Sequence, residues 1–234
     1  MSHRVPTIAG WILAGHLFVG CAAGPVPIVV HETPQESVWL MVDPHAGNGH
    51  SHPASFTPEQ LAVILSGLRV QGRDLIGGFG LLAERDGVPA FSSRESAMLA
   101  PHLAAALKHA SPKDIATFYV IGHDQGQSKT VTSGGIFIRN GRLYVLLANA
   151  RTAPGAVQYE NTYEIDTRDQ PLLPIARFKF TAGFSPNDAR VSNDQARSLD
   201  GYDSYLDEAK QVVVDLNRLF TQPLPLPAAG QPGR

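Results

Sequence analysis

Two periods of apolar residues run along this chain and divide it into strands and helices. Val38-Trp39-Leu40-Met41-Val42 is apolar at every position, the pattern of a central strand covered on both faces. Asp43-Pro44 ends it, and a loop rich in Gly and His runs to Ser55. Leu61, Ile64, Leu65 and Leu68 then recur at helical spacing. This first helix has a full start signal. Thr57 stands at the N-cap, Pro58 at the first helical position and Gln60 where it closes a capping box, while Phe56 and Leu61 take the hydrophobic-staple positions. A second helix starts at Ser92, with Glu95 as its box partner and Leu99, Leu103 and Leu107 on its apolar face. Pro101 falls inside it, where a proline costs about 3 kcal/mol, so a bend or two short helices meeting at Ala100-Pro101 is expected. Ser111-Pro112 marks its end.

Ile115 to Ile121 reads as a strand, and a hairpin follows. The runs from Gly135 to Arg139 and from Arg142 to Leu147 flank Asn140-Gly141, the preferred pair for a two-residue type I′ turn. That turn sets Ile138 opposite Leu143 and Ile136 opposite Val145 on an aliphatic face that should meet the helices. Phe137 opposite Tyr144 and Arg139 opposite Arg142 make the other face, expected to be partly wet, with the like charges tolerated at an exposed turn. Further strands are expected at Val26 to Val30 (an edge), near Phe79 to Ala83, at Val157 to Ile165 and at Ile175 to Thr181. From Tyr202 to Phe220 apolar residues recur every three or four positions, which predicts a long final helix. Together these give an α+β fold, a mainly antiparallel sheet of about five or six strands with about three helices on one face.

Charge and cysteine content narrow the function. With 19 Lys+Arg against 21 Asp+Glu, the chain has no basic footprint for nucleic acid. Its single Cys excludes a disulfide scaffold or a cysteine metal cluster. That residue, Cys21, follows a short n-region containing Arg4 and a mostly apolar run from Val5 to Gly20, the layout of an export signal. The run Leu17-Phe18-Val19-Gly20-Cys21 resembles the lipobox of bacterial lipoproteins, with Phe18 where Leu is more usual. The resemblance implies cleavage before Cys21, acylation of that residue and attachment to a membrane through its acyl chains, since each buried CH₂ contributes about 0.8 kcal/mol. Ala22 after the Cys implies an outer-membrane lipoprotein facing the periplasm. The expected organisation is a signal peptide at 1–20, a lipidated N-terminus and tether at 21–36, one domain at 37–221 and a proline-rich tail at 222–234.

Chemistry is sparse. His45, His50 and His52 crowd one loop beside Asp43, and His-x-His offers two imidazoles to a Zn²⁺ or Cu²⁺ ion. No Gly-x-Ser-x-Gly elbow or phosphate-binding loop is present, so no catalytic residues are assigned. Segments 38–70 and 90–147 resemble a group of proteobacterial and related lipoproteins. The shared features are a strand ending in Asp, His52-Pro53 before a capped helix, Phe91-Ser92 with Leu99-Ala100-Pro101, and a Gly-rich hairpin ending in Leu-Tyr. The resemblance implies a lipoprotein and no particular activity. The leading expectation is a non-enzymatic envelope domain that binds another envelope protein, with Phe137 and Tyr144 as its partner surface. The alternative is a metal-binding envelope protein using the histidine loop.

Overall fold

The computed structural model describes residues 25–72, 87–123, 129–153, 167–175, 180–204 and 206–221. They form an α+β fold whose main sheet is antiparallel. Its strands are β1 (Ile28–Glu32), β2 (Glu36–Val42), β5 (Asp114–His123), β6 (Lys129–Arg139), β7 (Arg142–Thr152), β10 (Gln211–Asp215) and β9 (Arg190–Val191), in that spatial order. A second sheet places β3 (Leu68–Gly72) between β4 (Val88–Pro89) and β8 (Phe180–Phe184). The helices are α1 (Pro58–Gly67), α2 (Ser93–His109), α3 (Asn193–Asp200) and α4 (Leu216–Thr221). No helix among the described residues is long and apolar enough to cross a membrane.

Both capping boxes form as their sequences specify. Thr57 accepts from the Gln60 N–H and its own N–H donates to the Gln60 side chain; Ser92 and Glu95 do the same on α2. Leu68 lies past the end of α1 and opens β3 directly. Helix α2 continues through Pro101 to His109 as one element, because its packing against the sheet and α1 offsets the missing hydrogen bond. The hairpin register is the expected one, Ile138 to Leu143 and Phe137 to Tyr144. Its turn residues take positive φ, 47° at Asn140 and 75° at Gly141. Gly134 is required by close approach, since a Cβ there would stand 1.9 Å from the Leu146 carbonyl oxygen.

The aliphatic face packs as expected. Val38, Leu40, Phe118, Ile136, Val145 and Val212 join Leu61 and Leu65 of α1 and Leu99, Leu103 and Leu107 of α2 in the larger core. The opposite face is not wet. Phe137 and Tyr144 are fully buried in a second core with Ile115, Leu146, Val213, Ala196 of α3 and Tyr202. The helices therefore do not all share one face, because α3 and the chain after it cover the aromatic side.

The long final helix is not formed. Val212-Val213-Val214 lies in β10, paired along β7 from Gln211 opposite Leu146 to Asp215 opposite Arg142. Three consecutive β-branched residues suit a strand, and a strand buried on both faces shows no alternation to betray it. Only Leu216–Thr221 is helical at this end. At the other end the expected edge strand is present as β1, so the ordered body starts within the segment read as a tether. The expectations for Phe79 to Ala83, for Val157 to Ile165 and for residues 1–20, Cys21 and 222–234 lie outside the described residues, as does most of Ile175 to Thr181.

Candidate metal centre

Strand β1 reaches its last turn through a β-bulge. Val29 pairs with Trp39 but His31 pairs with Val38, which leaves Val30 as the extra residue and re-aims the His31 side chain. The chain then reverses through 33–35. The Thr33 hydroxyl accepts from the Gln35 and Glu36 N–H groups, and the Arg168 guanidinium donates to the Thr33 carbonyl at 2.6 Å and also to that of Pro34. This fastened turn delivers Glu36 at the start of β2, next to His31. His102 arrives from α2, one turn from Leu99 and from Ala106, both buried, so the same helical face that builds the core sets its ring at the sheet edge.

The three side chains converge. His31 Nε2 lies 3.1 Å from Glu36 Oε1, and the His31 and His102 rings stack with centroids 3.5 Å apart. One ligand atom from each residue lies within 4.8 Å of the other two, and this is the group of three His, Cys, Asp or Glu residues so arranged among the described residues. Glu36 is nearly buried, with a side chain 10% exposed, and its Oε2 has no hydrogen-bond partner. His31 is 22% exposed, which leaves the site open to solvent on one side. Burial, and then the facing His31, push the His102 pKa below its ordinary value, with Glu36 opposing them. That shift favours the neutral imidazole of His102, the form that ligates a metal.

Two imidazoles and a carboxylate are a donor set suited to Zn²⁺ or Cu²⁺, and three protein ligands leave a coordination position for water or another group. Ligation would turn the rings out of their stack, because each must aim a nitrogen lone pair at the ion. His31 and Glu36 fall in the stretch read as a tether, and His102 was legible only as a polar position beside Pro101. A His and a Glu flanking a tight reversal was the available signal.

Of the histidines singled out in the sequence, His50 and His52 meet, but the three do not bring their ligand atoms to one point. His50 Nε2 pairs with Asp43 Oδ2 at 2.9 Å, with both side chains fully buried, while its Nδ1 has no hydrogen-bond partner. Its ring also stacks on Phe137 at 4.1 Å. His52 packs edge-on against His50 and is buried, with neither ring nitrogen hydrogen-bonded. Desolvation, then the neighbouring His50, lower its pKa to about 4, against a smaller opposing pull from Asp114. His45 is exposed, and its N–H donates to Asp43 Oδ1. The loop is therefore a structural plug under the aromatic core, organised around Asp43. Phe137 and Tyr144 are likewise core residues and present no surface. Of the facing arginines, Arg142 is ion-paired with Asp200 and Arg139 is buried, lying over the Tyr202 ring at 5.5 Å. Cys21 lies outside the described residues.

No family model matches this chain, and no curated protein or solved structure is significantly similar to it.

Proposed function

We propose that this chain is a lipid-anchored cell-envelope protein whose folded domain binds a divalent transition-metal ion, Zn²⁺ or Cu²⁺, through His31, Glu36 and His102. The observation that carries the metal reading is the convergence of three ligand atoms within 4.8 Å, one of them on a carboxylate whose other oxygen is buried without a hydrogen bond. Such a carboxylate is costly to leave unsatisfied, and a cation stabilises it. The anchor reading rests on the lipobox-like run ending at Cys21. Acylation there would hold the metal centre, carried by the first strand, close to the membrane surface. No reaction is assigned to the site.

Metal content of protein purified without added metal tests the first part. A bound ion should raise the melting temperature, and a chelator should lower it, by an amount that follows ion concentration. A melting temperature indifferent to both ions and chelator contradicts it. For the anchor, Cys21→Ser should abolish acyl labelling and release the protein from membranes; unchanged partitioning contradicts it.

A second reading, recognition of another envelope protein, moves from the hairpin to the edge strand. Ile28 and Val29 on β1 are 59% and 55% exposed, and the outer side of this strand, unpaired among the described residues, offers backbone groups that an added strand can pair with. Crosslinking in intact cells through a photoreactive residue at position 28 should trap one specific protein; a smear of abundant neighbours speaks against this reading.

A further inference from the structure

The outer side of the small sheet carries a feature that the metal centre does not use. Leu68 and Val70 of β3 and Phe180, Ala182 and Phe184 of β8 point into the core, so alternation sends Arg69, Gln71, Thr181 and Gly183 to the other side. There a cavity of about 430 Å³ lies between this face and Ser185, Asn187 and Arg190. That is the size of a small-molecule site. Arg69 stands directly opposite Gly183 in the β3–β8 register, and the missing side chain at Gly183 makes the hollow. A Cβ built there would touch only the Arg69 Cβ, at 3.8 Å.

The described part of the lining has one sign of charge. Among the described residues it contains two guanidiniums, Arg69 and Arg190, and no carboxylate, with Thr181, Ser185 and Asn187 as further polar groups. Neither arginine makes an ion pair among the described residues. Arg69 donates to the Ser66 carbonyl through one nitrogen, which leaves its other donors available. Arg190 lines the same cavity and is half-buried; its Nε, without an acceptor, is shut off from solvent, which leaves the terminal nitrogens of its fork to meet a ligand. A guanidinium with no ion-pair partner is a ready donor, and an oxyanion accepts two parallel hydrogen bonds from its planar fork.

We propose that this cavity binds a small organic anion through a carboxylate or phosphate group, with Arg190 and Arg69 as the recognising residues. The floor of the hollow at Gly183 admits the body of the ligand, and Thr181, Ser185 and Asn187 supply neutral hydrogen bonds that discriminate among anions.

The test is a titration of the isotopically labelled full-length mature chain with inorganic phosphate and, separately, with succinate. Amide resonances are followed at constant ionic strength, so that screening alone produces no change. Saturable shifts confined to Gly183, Ser185, Asn187 and Arg190 are expected, and the tighter of the two probes identifies the anion class. Arg190→Gln should weaken binding at least tenfold, and Arg190→Lys less. Gly183→Leu, which fills the hollow from the outer face, should abolish binding in a chain that keeps its melting temperature. The proposal is overturned if neither probe gives saturable shifts in the wild type. It is equally overturned if the shifts persist unchanged in either folded variant.

Discussion

Asp200 Oδ2 accepts a 2.7 Å hydrogen bond from the Arg142 Nε, in an ion pair whose carboxylate is fully buried. The pair ties the last residue of α3 to the first residue of β7 across the aromatic core. Asn140, at the hairpin turn, and Tyr144 donate to the same carboxylate. Burial pushes the Asp200 pKa up, but the bonds from Arg142, Tyr144 and Asn140 outweigh it and hold the group below its ordinary value. Removing one member of such a pair strands the other charge. Asp200→Ala is expected to cost about 3 kcal/mol in urea unfolding. A loss below about 1 kcal/mol would mean that Arg142 finds solvent as good a partner.

His52 sets an acid-sensitive window. Its pKa is about 4 in the folded chain against an ordinary value of 6.5, so the unfolded state binds the proton more tightly. Its neutral form therefore supports the fold fully above pH 6.5, and that support is lost as pH falls toward 4. The loss amounts to about 2 kcal/mol once solvent screening is allowed for. Asp200 acts lower, because a carboxylate with a depressed pKa loses its contribution only as pH falls through the carboxylate range. His52→Phe keeps a ring against His50 and removes the titration. Its stability between pH 6.5 and 4 should be flatter than that of the wild type, and a parallel profile would show that His52 is not the titrating group.

Phe137 distinguishes a core from a surface. It stacks on Tyr144 at 4.8 Å, on His50 at 4.1 Å and against Tyr202 at 4.6 Å, with no exposure. Phe137→Asp places an unpaired carboxylate among those rings and should cost more than about 4 kcal/mol, leaving the chain unfolded by circular dichroism and open to proteolysis. A folded variant with a wild-type melting temperature would return this face to the surface.

Local signals carried furthest from sequence to structure. The Thr57 and Ser92 capping boxes and the Asn140-Gly141 turn each involve residues within a few positions of one another, so their chemistry determines the geometry without tertiary help. Val212 to Val214 departs from the expected helix because a strand buried on both faces loses its alternation, and its Val213 falls near helical spacing with Tyr202 and Leu206. The aromatic face departs from the expected wet one for a related reason. Arg139 and Arg142 signalled solvent, whereas Asp200 and Tyr202, far along the chain, supply the partners that bury them. The candidate metal centre is assembled from residues 31, 36 and 102, which only the packing of α2 against the sheet edge brings together. The histidine loop has the adjacency in sequence that suggests a site, yet Asp43 and Phe137 take up His50, His52 packs on His50, and His45 is exposed.

The metal reading is tested most directly by calorimetric titration of Zn²⁺ and Cu²⁺ into the purified chain, alongside His31→Ala, His102→Ala and His45→Ala. One ion per chain is predicted, binding tighter than 10 μM, about −7 kcal/mol. His31→Ala and His102→Ala should each weaken it at least tenfold, and His45→Ala should leave it unchanged. No binding at that strength, or binding that survives both His31→Ala and His102→Ala, would contradict a metal centre at His31, Glu36 and His102.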